Sequence, residues 1–441
     1  MSLSTPESVQ KLQTALHDKA KEAPNFRFSA LYDKVYRRDV VAFAYECCKA
    51  NGGAAGVDGQ TFEDIEAYGE ERWLDELAQE LKKRTYQPLP VGRVYIPKPD
   101  GKQRPLGVPA IRDRAAEMAA VLVLEPIFEA DLQPEQYAYR EDRSALDAVR
   151  HVHKLINTGH GEIVDADLSS YFDTLPHSEL LKSVARRVVD GNMLHLIKMW
   201  LEAPVEETDE RGNKRRSTRN RDEGRGSPQG SPISPLLSNL YMRRFVLGWK
   251  KLGHERRLKA YIVNYADDLV ICCRSQAEEA LATMRNRMSK LKLTVNDTKT
   301  RVCKLPEETF DFLRYTFGRC YSPKTGRAYL GTTPSKKRVQ RICKAISQET
   351  GRNKTLLAQE TVITTLNRMR IGWANYFCLG PVSNAYRAID RHARRRLRQW
   401  LCAKHKLRWP ATKRYPEAAL HQNLGLVPLS TRTTSFPWAT S

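Results

Sequence analysis

Ala260-Tyr-Ile-Val-Asn-Tyr-Ala-Asp-Asp-Leu-Val-Ile-Cys-Cys273 is the stretch on which the rest of the chain turns. Apolar residues flank Tyr265-Ala266-Asp267-Asp268 on both sides, so it reads as strand, turn and strand with two acids at the tip. Like charges a few ångströms apart repel, and Ile262, Val263, Leu269, Val270 and Ile271 offer no solvation. A divalent cation removes that conflict. Magnesium takes carboxylate and phosphate oxygens and keeps some of its waters.

One further carboxylate on a neighbouring strand would complete a site for two ions about 4 Å apart. Such a pair lowers the pKa of an attacking hydroxyl and stabilises a departing pyrophosphate, which is in-line nucleotidyl transfer. Glu162-Ile-Val-Asp-Ala-Asp-Leu168 is the candidate strand. Its period of two places Asp165 and Asp167 on one face, and the pattern alone leaves both open.

Working outward, Val91 to Pro109 alternates as a hairpin, with Val94-Tyr95-Ile96 as one strand and Arg104-Pro-Leu-Gly-Val108 as the return. Pro99-Asp-Gly-Lys102 supplies the turn. Residues 1 to about 90 read as mostly helical, with helical spacing over Leu31–Lys49 and Trp73–Lys83 and a glycine-rich turn region, 51–59, between them. Ala115–Phe128 reads as a buried helix and Ser144–Asn157 as an amphipathic one. Glu206–Gly226 reads as an exposed loop or hairpin, and Ser227-Pro-Gln-Gly230 leads into a helix from about Pro235 to Gly248. Ala277–Leu291 is again an amphipathic helix. From about Pro334 the chain is helical and strongly basic.

The charge balance points to a polyanion. Lys and Arg number 73 against 51 Asp and Glu, a net +22, and much of the excess is clustered. The opening 21 residues lack the apolar core of a secretory signal, and no run is long enough to span a membrane. The nine cysteines include no C-x-x-C, which argues against a zinc site or a disulfide framework and for reduced, mostly buried thiols.

A Tyr-x-Asp-Asp turn alone is a modest signal, since a solvated turn has the same letters. The order of features is not modest: basic hairpin, Asp strand, Pro-Gln-Gly turn, Asp-Asp hairpin, amphipathic helix, then lysine. On these residues, from about Gly52 to Leu401, the chain closely resembles the reverse transcriptase–maturases encoded by bacterial group II introns. The matching segments are Ile96-Pro-Lys-Pro-Asp-Gly-Lys-Gln-Arg-Pro-Leu-Gly-Val-Pro109, Asp167-Leu-Ser-Ser-Tyr-Phe-Asp173, the run 226–241, Tyr265-Ala-Asp-Asp268, Asn296-Asp-Thr-Lys299 and Phe310-Asp-Phe-Leu313.

The resemblance implies roles. It selects Asp167 over Asp165, because the strand acid of such palms is followed five residues on by an aromatic, here Phe172, that packs under the sugar and crowds a 2′-hydroxyl. Asp167, Asp267 and Asp268 become the catalytic and metal-holding residues, with two Mg2+ ions for which Mn2+ can substitute. Lys98 and Arg104 look like the clamp on the dNTP triphosphate, Arg through its bidentate fork. Gln229 and Gly230 look like the turn lining the nucleotide and template pocket, and Lys299 would face the primer or a developing phosphate charge. Asn367 to Phe377 resembles the maturase helix, with Trp373, Tyr376 and Phe377 on one side as core. Lys336, Lys337, Arg338, Arg391, Arg394, Arg395, Arg396 and Arg398 would meet nucleic-acid phosphates.

The implied fold is α+β: a right-hand polymerase with fingers and palm over 91–325 after a helical extension at 1–90, a helical thumb or maturase domain at 326–401, and a basic tail at 402–441. The implied partners are intron RNA, an RNA template with a DNA or RNA primer, target DNA and dNTP, in the bacterial cytoplasm with the nucleoid or a ribonucleoprotein. Nothing up to Ser441 matches the His-Asn-His endonuclease of many relatives, so the resemblance implies the form lacking it, which takes a primer made elsewhere. Two departures stand out: Glu141-Asp142 where the family has Pro-Gly, and Arg314 where it has Gly. The alternatives are a non-enzymatic RNA-binding splicing maturase and a reverse transcriptase domesticated for defence or repair.

Overall fold

A computed structural model describes residues 3–97, 101, 103–209, 211–322, 325–409 and 412–435. Lys98 and most of the expected turn at 99–102 lie outside them. The chain divides into two compact units, each drawn from separate segments: Met1–Ser144, Ala166–Ile271 and Glu278–Arg301 in the first, and Ala145–Asp165, Cys272–Ala277 and Val302–Ser441 in the second.

The strands are β1 (Val91–Pro97), β2 (Gln103–Val108), β3 (Glu162–Asp167), β4 (Val205–Thr208), β5 (Lys214–Ser217), β6 (Ala260–Tyr265), β7 (Asp268–Cys273), β8 (Arg301–Lys304), β9 (Phe310–Phe312), β10 (Tyr315–Tyr321) and β11 (Ala328–Pro334). In the first unit one sheet runs β2-β1-β4-β5. The alternating hairpin pairs in antiparallel register from Gly92↔Val108 to Pro97↔Gln103. β4 lies parallel to β1, and the charge-rich loop closes as the β4–β5 hairpin. A second sheet has the order β6-β7-β3-β8, so the strand that begins at Asp268 neighbours the strand that ends at Asp167.

The amino-terminal helices form as periodicity indicates, with one break. Arg37 adopts extended angles (φ −59°, ψ 134°), so the run from Leu31 becomes two helices, Tyr32–Val35 and Arg38–Asn51. The central helix is Ile111–Glu129, and Glu117 does not interrupt it. It carries a buried polar strip of Asp113, Arg114 and Glu117.

In the second unit, helices Lys336–Glu349, Gln359–Tyr376 and Ser383–Lys404 enclose a core that includes Ile346, Leu366, Tyr386, Ile389, Leu397 and Trp400. Trp373 packs against this core and stacks near Phe377, as expected of core aromatics. Asp390 and Arg370 form a buried ion pair, and the same carboxylate accepts from the amides of Leu429 and Ser430 at 3.1 Å each. It thereby fixes the segment after the last long helix. A boundary at 325/326 would fall between β10 and β11, which pair from Tyr315↔Pro334 to Tyr321↔Ala328.

All nine cysteines are free thiols and most are buried. Among the described residues no helix is long and apolar enough to cross a membrane.

The departure at Arg314 has a structural cost. Its φ is +73°, in the left-handed region that favours glycine. Its guanidinium lies 6.0 Å from the centroid of the Tyr376 ring, a weak compensation. Arg314→Gly should therefore raise stability by about 0.5–1 kcal/mol, read as a later urea midpoint for the helical unit.

Candidate active site

The Asp-Asp hairpin is braced from beneath. Asn264 is fully buried, and its amide donates to the carbonyl oxygens of Ala266 at 2.8 Å and Asp268 at 3.3 Å. Its backbone is pinned as well: Asn264 N–H donates to Glu135, and its carbonyl accepts from Tyr137. Ala266 turns the chain at φ +56°. Ile262, Val263, Leu269, Val270 and Ile271 are buried, Asp267 is half-buried and Asp268 is exposed. An apolar base thus presents two acids to solvent at its rim.

Asp167 ends β3 and is latched by the loop after Leu293. Its N–H donates to the Thr300 hydroxyl at 3.2 Å, and its carbonyl accepts from the Asn296 amide at 2.8 Å. Its Oδ2 accepts from the Asn296 side chain at 3.0 Å and from Lys299 Nζ at 3.1 Å. Lys299, expected at primer or phosphate, is thus seated on the strand acid itself. Asp165 is half-buried one pleat behind on the same strand.

The remaining expected residues of the first unit gather through close backbone approaches. Ser170 is left-handed (φ +46°) and starts the turn of helix that carries Tyr171 and Phe172, both buried. Ser227 N–H donates to the Phe172 carbonyl at 2.8 Å, and Gly226 N–H to Leu175 at 2.9 Å. The Gln229 carbonyl accepts from Gly107 N–H at 2.8 Å. Gly230 sits at φ +125°, and a Cβ there would collide with the Gly107 carbonyl oxygen. A Cβ on Gly107 would lie 2.8 Å from Val91 and 2.9 Å from Pro228. The Pro-Gln-Gly turn is thus seated on the β1–β2 hairpin, and close packing demands both glycines. Arg104, exposed on β2, reaches this region electrostatically: the Tyr139 hydroxyl is pushed above its usual pKa by burial first, then by Asp267 and Tyr265, against a lowering by Arg104.

Asn264, Asn296, Thr300 and Tyr139 escape a reading of the sequence. Asn264 left one signal, a polar residue inside the apolar run Ile262–Tyr265. Asn296 opened a segment that carries the resemblance, but its bond to Asp167, 129 positions away, was not legible, and Thr300 and Tyr139 left no signal. Glu141 is exposed and adds its charge to burial and to Glu129 in pushing the Glu125 carboxyl up to about 7. Asp142 follows with left-handed φ +55°.

Oxygen-only donors at adjoining strand ends suit a hard divalent cation in kind. Among the described residues, however, no group of three or more His, Cys, Asp or Glu side chains stands close enough to hold one ion. One oxygen of Asp167 is occupied by Lys299 and Asn296 instead.

A cleft of about 680 Å³ opens beside the turn, lined among others by Arg93, Tyr95, Gly107, Arg215, Arg225 and Pro228. Glu206 is paired with Arg216 and Lys214, whereas Arg93, Arg215 and Arg225 make no ion pair among the described residues. In the second unit the basic residues divide. Arg396 donates to the Ser347 and Thr350 carbonyls at 3.0 and 2.9 Å, Arg398 to Tyr415 at 2.7 Å, and Arg394 pairs with Glu417. These three brace the unit from within. Arg338 is half-buried, and burial lowers its pKa. Lys336, Lys337, Arg391 and Arg395 are exposed.

Residues 96–333 match the reverse transcriptase (RNA-dependent DNA polymerase) family. The chain belongs to that family. Residues 339–415 match the group II intron, maturase-specific domain. The chain is 37% identical over 257 residues to Protein YkfC of Escherichia coli K12, covering 57% of this chain and 64% of that protein. It is 31% identical over 227 residues to the group II intron-encoded protein LtrA of Lactococcus lactis subsp. cremoris, covering 51% and 36%. A putative COX1/OXI3 intron 1 protein of Saccharomyces cerevisiae is 26% identical over 328 residues, covering 63% and 38%. These matches span less than two thirds of the relatives' own lengths. The expectation of an α+β fold of fingers and palm followed by a helical maturase domain is met in this chain.

Gly230→Ala should distort the turn from two sides at once, by strained φ and by collision with Gly107. Primer extension should fall at least about tenfold, equivalent to ~1.4 kcal/mol. Equal loss of thermal stability throughout the chain, with normal activity per folded molecule, would contradict that assignment.

Proposed function

We propose that this reverse transcriptase is the RNA-directed DNA polymerase of a group II intron and binds its intron RNA to support splicing and retrohoming. One observation carries the catalytic half: Asp167 closes β3, Asp268 opens the adjacent strand β7, and Asp267 stands in the turn immediately before it. Asp167, Asp267 and Asp268 would hold divalent ions, Mg2+ with Mn2+ as a substitute. When bound, such ions activate the primer hydroxyl and neutralise charge on the transferred phosphate.

The chain's own side chains do the rest. Asn264 keeps the hairpin tip in shape, so the acids do not relax apart under their repulsion. Asn296 and Thr300 hold the Asp167 backbone. Lys299 neutralises that acid until substrate arrives and then offers its ammonium to phosphate. Arg104, together with Lys98, grips the dNTP triphosphate. Phe172 supports the sugar, and Gln229-Gly230 walls the nucleotide pocket.

Arg93, Arg215 and Arg225, which make no ion pair among the described residues, support a template path, since uncompensated guanidinium groups favour a phosphate backbone. The maturase half rests on the exposed Lys336, Lys337, Arg391 and Arg395, which would grip intron RNA; template, primer and target DNA are the other polyanionic partners. We place this activity in the bacterial cytoplasm, with the nucleoid or a ribonucleoprotein.

The test is primer extension on an RNA template with dNTPs and Mg2+. Asp267→Asn should abolish extension, by more than about a thousandfold, while intron RNA binding in gel shifts persists. Normal extension by that variant would sink the site assignment. Replacing Arg93, Arg215 and Arg225 together by Ala should weaken template–primer binding. The salt dependence of log K should become shallower by roughly 0.7 for each single-strand phosphate that the variant no longer neutralises.

A further inference from the structure

The buried polar strip of helix Ile111–Glu129 is assigned no role by the catalytic reading. Asp113 is spent on structure, accepting from the Tyr86 hydroxyl at 2.7 Å and the Leu89 amide at 3.0 Å. Arg114 donates to the carbonyls of Ala54 at 2.7 Å and Gly52 at 3.3 Å, tying down the glycine-rich turn. Glu117 points elsewhere. It is 3% exposed and accepts from the Ser231 hydroxyl.

Ser231 is itself 3% exposed and closes the turn that carries Gln229 and Gly230, its N–H donating to the Pro228 carbonyl at 3.2 Å. Ser234 N–H returns to the Ser231 carbonyl at 3.3 Å. A single line of contacts therefore runs from Glu117 through Ser231 and the Gln229 carbonyl to Gly107 on β2. We propose that Glu117 is a positioning residue that sets the Pro228–Ser231 turn and so governs the affinity of the site for the incoming nucleotide. The nucleotide clause rests on the polymerase reading above.

The protonation state follows from the surroundings. Burial pushes the Glu117 carboxyl up to about 8, with the Ser231 hydrogen bond opposing and Asp113 adding to the rise. Asp113 and Arg114 face it along its own helix, Cys48 from helix Arg38–Asn51, and Tyr86 from the segment before β1. Of these only Arg114 is cationic, and it is turned to Gly52 and Ala54. An ionised Glu117 would make no ion pair among the described residues, Arg114 acting on it only weakly. The folded state binds this proton more tightly than the unfolded chain does. The stability it contributes is thus present below the ordinary glutamate range and is lost as pH rises through about 8.

The experiment uses the full chain with Glu117→Gln and Glu117→Ala. Amide hydrogen exchange over 226–234, corrected for the intrinsic pH dependence, reads the turn without reference to activity. Wild-type protection should fall several-fold between pH 7 and 9, and Glu117→Gln should hold it constant. In steady-state extension the wild-type KM for dNTP should rise over the same range with kcat changed less. The Gln variant should keep a flat KM, and Glu117→Ala should raise KM at every pH. Should Ala fail to fold, the Gln comparison alone decides. An identical pH response in wild type and Gln variant, in exchange or in KM, overturns the proposal. Were the protein to extend no primer at all, the polymerase reading would fail while the exchange experiment still judged Glu117.

Discussion

Repulsion among carboxylates is the constraint around which the first unit is built. Asp267 and Asp268 stand side by side at a hairpin rim, and Asp167 ends the neighbouring strand. No apolar core tolerates such charges without partners. The fold answers with fixed dipoles and one cation. Asn264 ties the turn from below, and Asn296 and Lys299 take one oxygen of Asp167. Asp167 and Asp268 are held through their backbones.

The same unit shows how glycine transmits position. Gly107 and Gly230 are not loose points in loops. Each allows one backbone to lie on another, and together they lock the Pro-Gln-Gly turn to the β1–β2 hairpin. Side-chain hydroxyls complete the arrangement at Ser227, Ser231 and Ser234. The Ser227 and Ser234 hydroxyls meet at 2.6 Å in the interior. Polar groups buried in this way specify one geometry, because any displacement leaves a donor or acceptor unpaired.

In the helical unit, basic residues that look equivalent along the chain divide into two populations. Arg370, Arg394, Arg396 and Arg398 pair with carboxylates or carbonyls of the unit itself. Arg391 and Arg395 share one helix with Arg394, Arg396 and Arg398 and face solvent. A net charge of +22 is thus an overestimate of the positive surface available to nucleic acid. Arginine braces carbonyls as readily as it grips phosphate, and its five donors do not reveal which.

Much of this was written along the chain. Period-two alternation placed the β1–β2 hairpin, apolar flanks placed the Asp-Asp turn, and helical spacing placed the buried central helix, because local sterics and burial set these patterns. Arg314 was visible as a departure, and its left-handed φ is the reason glycine suits that position. Long-range partners were not legible. Nothing in the letters tells that Lys299 sits on Asp167, that Glu117 reaches Ser231, or that Arg396 turns inward. These pairings join residues up to 132 positions apart. They depend on which strands become neighbours, and only the packing of the whole sheet and its helices decides that.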